Sequence, residues 1–268
     1  MAIRAERVSG DDSMQLDDER HETARQAVVI AERIDRQSRA PAPKAHESLV
    51  ALHQPAGAAA EAFRGLYYAL RRSVGGSPLG VLAVASAARG EGRSTVAANL
   101  ALVAARETGR PVALVDADLR APALHRLFGV DGEVGLSDVL ANRADLEAVV
   151  YEHPNAHVAL IGGGRPEAEP ARRFTSPRFA RFLAQVRGEF AETVIDLPPL
   201  ACVDARLIAA QCSGVVLVVR SGQTEAQLAR DSLEELEGAR VLGAVLNGAA
   251  GLEAPQLRAA RRALPPGR

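Results

Sequence analysis

The residues best suited to chemistry form one short run, Ala87-Ala88-Arg89-Gly90-Glu91-Gly92-Arg93-Ser94-Thr95, between the apolar stretch Val81–Ser86 and a helix-like segment. Glycines at 90 and 92 let the backbone curl until successive N–H groups converge, an arrangement that binds phosphate oxygens. A helix starting there adds the partial positive charge of its N-terminus at the same point. The Ser94 hydroxyl stands where it can join the shell of a magnesium ion. Arg89, Gly90, Glu91, Gly92, Arg93, Ser94 and Thr95 are therefore the expected nucleotide-contacting residues. The general pattern G-x-x-x-x-G-K-[ST] has a glycine and a lysine where this chain has Ala87 and Arg93. On the loop alone, a glycine-rich turn with no ligand competes with this reading.

Acids further along weigh against that bland alternative. One apolar run ends in Val115-Asp116-Ala117-Asp118-Leu119-Arg120, another in Val194-Ile195-Asp196-Leu197-Pro198-Pro199. Carboxylates at strand ends lie on the rim of an open sheet, where α/β folds bind ligands, and the prolines stop the second strand just past Asp196. Three acids beside a phosphate loop make a set able to hold a metal and position a nucleophile for phosphoryl transfer.

The elements that must position these groups follow from the hydrophobic pattern. Short apolar runs occur at Gly80–Ser86, Pro111–Asp116, His157–Ile161, Glu192–Asp196, Gly214–Arg220 and Arg240–Asn247. Helix-like stretches separate them at Ser94–Arg106, Ser176–Phe190, Val203–Gln211 and Thr224–Glu237. Continuous apolar strands alternating with helices predict an α/β fold, a mostly parallel sheet with helices on both faces. Before the first strand, Gly57–Val74 carries Phe63, Leu66, Tyr67 and Leu70 at helical spacing. The expected organisation is a flexible leader over 1–56 with one helix at Asp17–Arg36, a nucleotide-binding domain over 57–250 and a basic tail over 251–268.

Composition narrows the function classes. The chain of 268 residues, 47% apolar, holds one large domain rather than two. A formal net charge of −1 gives no bulk attraction to nucleic acid or anionic lipid. No apolar run reaches the roughly 18 residues that span a bilayer, and the charged N-terminus lacks a secretory signal core. Cys202 and Cys212 are too separated for a redox pair and too few for a metal site. These features predict a cytoplasmic protein. Of 32 basic residues only Lys44 is a lysine, so lysine-dependent chemistry in the domain has no lysine to use.

At these residues the chain resembles a known family. Glu91-Gly92-Arg93-Ser94-Thr95, Asp116-Ala117-Asp118-Leu119-Arg120 and Asp196-Leu197-Pro198-Pro199 look like the Walker A, A′ and B motifs of bacterial tyrosine kinases of the CpsD/CapB type. Gly135-Leu136-Ser137-Asp138-Val139-Leu140, Ser176-Pro177-Arg178-Phe179, Asp204 and Val245-Leu246-Asn247-Gly248 extend the similarity over nearly all of 57–250. The Asp-x-Asp-x-Arg run separates this group from its relatives, the MinD/ParA positioning ATPases. The resemblance implies a P-loop NTPase fold and a part in capsule or exopolysaccharide synthesis. It makes Asp116, Asp118 and Arg93 the expected catalytic residues, with the two acids near the metal and the attacking hydroxyl. It makes Ser94, Asp116 and Asp196 the expected metal-binding residues, Asp196 completing the shell through water, sets Asn247 near the base, and implies ATP and Mg2+ as cofactors. It also implies a membrane-anchored polysaccharide co-polymerase or activator as partner, peripheral placement at the inner membrane through that partner, and homo-oligomers.

Three positions depart from the family pattern. Arg93 replaces the lysine, and its planar fork differs in reach from an ammonium ion. The tail lacks the family's tyrosine cluster, since the chain's only tyrosines are Tyr67, Tyr68 and Tyr151. The ring-forming E-x-x-R-x-x-R motif reads Glu61-Ala62-Phe63-Arg64-Gly65-Leu66-Tyr67, with Tyr67 at its last arginine, expected at an exposed contact. Three readings therefore stay open: a nucleotide-binding regulator with impaired phosphotransfer, an active kinase on a separate protein substrate, and a positioning ATPase. Among lesser features, His125 is expected to cap or pack a surface helix. Gly162-Gly163-Gly164 is a loop over the site or a turn, and Arg172 and Arg173 are solvated. The basic stretch Leu257–Leu264 reads as a solvated helix.

Overall fold

Seven strands and ten helices can be traced in the computed structural model, which describes residues 44–249. The strands are β1 (Val81–Ser86), β2 (Val112–Asp116), β3 (Val150–Glu152), β4 (Val158–Ile161), β5 (Glu192–Asp196), β6 (Gly214–Arg220) and β7 (Val241–Asn247). The helices are α1 (Val50–His53), α2 (Ala58–Ser73), α3 (Arg93–Thr108), α4 (Leu124–Phe128), α5 (Leu136–Leu140), α6 (Leu146–Val149), α7 (Ala171–Phe174), α8 (Pro177–Glu189), α9 (Val203–Ala209) and α10 (Ala226–Glu234). The strands form one sheet in the order β3-β4-β2-β5-β1-β6-β7. Every pairing is parallel except β3 with β4.

The apolar runs become strands because both faces of the sheet are covered, so neither set of alternating side chains can be polar. Along β1, Val81, Ala83 and Ala85 enter one core with Phe174, Phe179 and Phe182 of α7 and α8. Leu82 and Val84 enter the opposite core with Tyr67 and Leu70 of α2, Leu100 of α3 and Phe128 of α4. All four of β1, β2, β4 and β5 are buried along their whole length, whereas the edge strand β7 is half-buried throughout.

Helix α3 carries the phosphate-loop residues into the fold. Its residues from Val96 to Ala105 are all buried, because it is wedged between the sheet and the α1–α2 layer. Such a helix reads as apolar all round. It stops at Gly109, whose left-handed φ of 64° lets its N–H bond to the Ala105 carbonyl at 3.0 Å.

The structure departs from the sequence expectation in three places. Residues from Lys44 to Ala56, grouped above with the leader, pack on the domain. Leu49 is fully buried, and Asn99 of α3 accepts the Ala51 N–H at 2.9 Å and donates to the Ser48 carbonyl at 2.9 Å. Ala45, Ala51 and Leu52 pack on the same core, the His46 N–H bonds to the Leu127 carbonyl at 2.8 Å and the Pro55 carbonyl accepts from Arg64 at 2.9 Å, contacts with distant residues that no local periodicity announces. The antiparallel strand β3 is only three residues long and carries no distinguishing alternation. Tyr67 lies in the core at 1% exposure, not at an exposed contact. Its hydroxyl reaches Glu192 at 3.4 Å and accepts from Arg71 at 3.0 Å. The expected helix at Asp17–Arg36 and the tail beyond Ala249 lie outside the described residues.

Candidate nucleotide-binding site

Strand order brings the distant motifs together. β5 lies between β1 and β2, with Asp196 opposite Val84 on one side and Asp116 on the other. The loop after β1, the Asp116–Asp118 turn after β2 and the Asp196 end of β5 therefore meet at the carboxyl edge of the sheet. That edge is where open parallel sheets bind ligands.

The loop is held in its curled form by its own residues. Gly90 and Gly92 take left-handed φ values of 84° and 87°. Glu91 turns inward and is buried: its carboxylate accepts the Ala88 N–H at 2.9 Å and the Thr224 hydroxyl. Asn247, at the end of β7, donates its side-chain amide to the Glu91 carbonyl at 2.8 Å. A Cβ on Gly92 would lie 2.1 Å from the Asn247 amide nitrogen, so glycine is required there for space as well as for backbone angle. Asn247 thus touches the loop directly. Ser94 and Thr95 open α3 and are half-buried, while Arg89 is exposed.

Arg93, the first residue of α3, is the centre of the cluster. Its Nε donates to Asp196 Oδ1 at 2.8 Å, one terminal nitrogen to Asp118 Oδ2 at 3.2 Å and the other to Ser86 Oγ at 3.3 Å. Its side chain is only 9% exposed, those of Asp118 and Asp196 3% and 0%. Burial alone would lower the arginine pKa, but the charges of Asp196 and Asp118 override it and hold the group above its usual value. Arg89 approaches the same Asp118 oxygen at 3.7 Å from the solvent side.

The three acids differ in what they have left to offer. Asp116 is fully buried; its Oδ2 accepts the N–H groups of Ala123 at 2.7 Å and Leu124 at 2.9 Å, its Oδ1 that of Asp118 at 3.2 Å. Burial, then the charge of Asp196, pushes its carboxyl up to about 7 against those backbone donors. Asp118 Oδ1 accepts the Ala121 N–H at 3.2 Å. Asp196 is also raised by burial, with the Arg93 charge and the neighbouring Ser94 hydroxyl pulling it down. Its Oδ2 is buried with no hydrogen-bond partner.

The surrounding shell contains contacts that spacing did not reveal. Arg120 leaves the cluster and pairs with buried Asp204 at 3.0 Å, also donating to the Ala168 carbonyl. Gly162 and Gly163 accept the N–H groups of Leu136 at 2.7 Å and Ser137 at 3.1 Å. The glycine run is thus a pinned turn: a Cβ on Gly135 would lie 2.2 Å from the Gly162 carbonyl oxygen. His125 packs its ring against Gly132, and burial lowers its pKa. Arg173 pairs with Glu167 at 3.2 Å, while Arg172 is exposed.

Known proteins share this fold and the sequence that builds it. The ParA family profile, described as NUBPL iron-transfer P-loop NTPase, matches residues 79–247. Tyrosine-protein kinase YwqD of Bacillus subtilis is 36% identical over 168 residues, which span 62% of this chain and 70% of YwqD. Succinoglycan biosynthesis transport protein ExoP of Rhizobium meliloti is 32% identical over 206 residues, 75% of this chain but only 26% of that much longer protein. Among solved structures, the kinase domain of Escherichia coli tyrosine kinase ETK superposes with a TM-score of 0.74 at 28% identity, over 81% of this chain and 86% of that one.

Proposed function

Since the chain belongs to the bacterial tyrosine kinase family of ParA-type P-loop NTPases, we propose that it binds ATP with magnesium and regulates the synthesis or export of an extracellular polysaccharide, with phosphotransfer slowed. The observation that carries this reading is the position of Arg93. Without nucleotide, the cation that should reach the phosphates is tied down among Asp118, Asp196 and Ser86, and it must be drawn off them before it can act on the outer phosphate. The loop is otherwise preformed, so binding survives better than alignment of the outer phosphate. A misplacement of about 1 Å there costs on the order of a hundredfold in rate.

The donor set suits magnesium. The Ser94 hydroxyl and the unpartnered Asp196 Oδ2 are hard oxygen ligands beside the phosphate loop, and these two residues would hold the ion. Bound there, it would neutralise charge on the phosphates. The chain's own contributions are the curled backbone of 88–95, the N-terminus of α3 and the buried acids Asp116 and Asp118 behind the loop, whose oxygens are held by backbone N–H groups and Arg93. Asn247 adds a side chain at the loop's rim.

The chain spans about a quarter of ExoP, and no helix among the described residues is long and apolar enough to cross a membrane. The likeness to a succinoglycan biosynthesis transport protein supports a membrane-anchored co-polymerase or activator as partner, which would hold the chain at the inner face of the membrane. An active kinase acting on a separate protein is the second reading, favoured by the intact Asp116, Asp118 and Asp196 set. Calorimetric titration with Mg-ATP, run beside Arg93→Lys, tests binding, and radiolabel transfer to a tyrosine peptide separates the two readings. Micromolar binding with slow transfer that Arg93→Lys accelerates supports the regulatory reading. Fast transfer by the natural chain establishes the kinase, and no binding by either chain refutes both.

A further inference from the structure

The carboxylate cluster already contains a cation. Arg93 lies across Asp196 Oδ1 and Asp118 Oδ2 at 2.8 and 3.2 Å, in a side-chain environment sealed from solvent. Both Asp116 oxygens are taken by backbone N–H groups and Asp118 Oδ1 by another. One carboxylate oxygen of the three acids, Asp196 Oδ2, is buried without a partner. Among the described residues no group of three or more acidic, histidine or cysteine side chains is arranged to hold a metal ion. Magnesium demands near-octahedral oxygen geometry. Here the guanidinium takes the place of its positive charge.

We propose that Arg93 is a built-in counter-ion that closes the cluster to divalent metal until nucleotide phosphates draw its guanidinium away, so that nucleotide must bind before metal. This deepens the nucleotide-binding reading above and rests on it. Movement of one side chain suffices, because the loop backbone is fixed independently by Glu91, Thr224 and Asn247. Phosphates bound by the backbone of 88–95 would sit at the start of α3, where Arg93 is rooted, and offer it a competing anion. Arg89 stays beside Asp118 when Arg93 leaves, so that carboxylate keeps a cationic neighbour. The positions of Arg93 and the metal exclude each other electrostatically, and linkage makes the effect reciprocal: what expels the guanidinium raises metal affinity.

The test uses Mn2+ as probe, with binding to the full chain read by electron paramagnetic resonance. Without nucleotide, Arg93→Gln should bind Mn2+ at least ~10-fold more tightly than the natural chain, and adding ADP should raise the natural chain's affinity by a similar factor. Equal Mn2+ affinities for the two chains without nucleotide overturn the proposal. Side-chain 15N spectra of the natural chain give a readout independent of any variant's folding, with Arg93→Lys identifying the signal. The Arg93 Nε–H should be protected from exchange without nucleotide and lose that protection when ADP is added. An unprotected signal without nucleotide refutes the closed state. If ADP does not bind, the functional reading falls along with nucleotide-driven opening, while the Mn2+ comparison without nucleotide still decides whether Arg93 holds the metal position.

Discussion

Replacing Arg93 by methionine isolates what the buried cation contributes to stability. Removing one partner of a buried, hydrogen-bonded charge cluster typically costs ~3–5 kcal/mol, because the remaining charges stay desolvated and uncompensated. Here those charges are Asp118 and Asp196, at 3% and 0% side-chain exposure, with Asp116 alongside. For a domain of this size that loss lowers the melting temperature by roughly 6–20 °C. Asp196→Asn added to Arg93→Met removes one orphaned carboxylate, so the double variant should be more stable than the sum of single effects predicts, by ~2 kcal/mol. The cost should also depend on pH. Losing the guanidinium raises the Asp196 carboxyl pKa further above that of the unfolded chain, so the variant falls behind the natural protein as pH climbs past about 4. Urea unfolding of the four chains between about pH 5 and 8 measures both effects. Additivity within ~0.5 kcal/mol, or a pH-independent loss, would show that Arg93 is not electrostatically coupled to the acids.

Three other outcomes follow from named contacts. Glu192 is raised by burial, against the Leu79 N–H, Arg71 and Tyr67, so its contribution is present below its unfolded pKa and fades as pH rises through the folded one. Glu192→Gln should therefore gain stability relative to the natural chain between about pH 4.5 and 8, and a constant difference in urea midpoints argues against this. Asn99→Ala should cost ~1–3 kcal/mol and speed proteolysis within 44–57, since Asn99 ties Ser48 and Ala51 to α3; an unchanged cleavage rate removes that role. Gly92→Ala places a Cβ 2.1 Å from the Asn247 amide at a φ of 87°, with at least ~1 kcal/mol of backbone strain. It should weaken binding of a fluorescent ADP analogue, and adding Asn247→Ala should recover part of the loss. Unchanged affinity in Gly92→Ala would mean that the loop is not the binding element.

Much of this architecture is legible in the residues because burial on both faces leaves strands little freedom of composition. Val81–Ser86, Pro111–Asp116 and Glu192–Asp196 can only be apolar runs ending in polar rims, and the rims carry Asp116 and Asp196. What spacing conveys less well is where a long side chain goes. Position 93 is legible as the cation of the loop, yet its turn toward Asp118 and Asp196 depends on strand order, which sets β5 between β1 and β2. Glu91 reads as a nucleotide-contacting loop residue, yet its side chain turns inward, where Thr224, 133 positions away, donates to it. The 44–56 segment and Tyr67 share a cause: each is settled by contact with a distant residue, Asn99 for one and Glu192 for the other. Helical spacing sets Tyr67 on one stripe with Phe63, Leu66 and Leu70, but local pattern names neither partner.

The loop's dependence on Asn247 also bears on how the protein is made. The bond from Asn247 to Glu91 spans 156 positions, and the bond from Arg93 to Asp196 spans 103. During synthesis the loop emerges early and waits, its anchor supplied by the final described strand, which among the described strands pairs only with β6. Contacts of such long sequence separation form slowly, because the chain between them must first be ordered. A ribosome-bound intermediate with β6 formed and β7 still unmade would expose an unpaired strand edge beside a loop that lacks its tether. Competence to bind nucleotide would then arrive late and all at once.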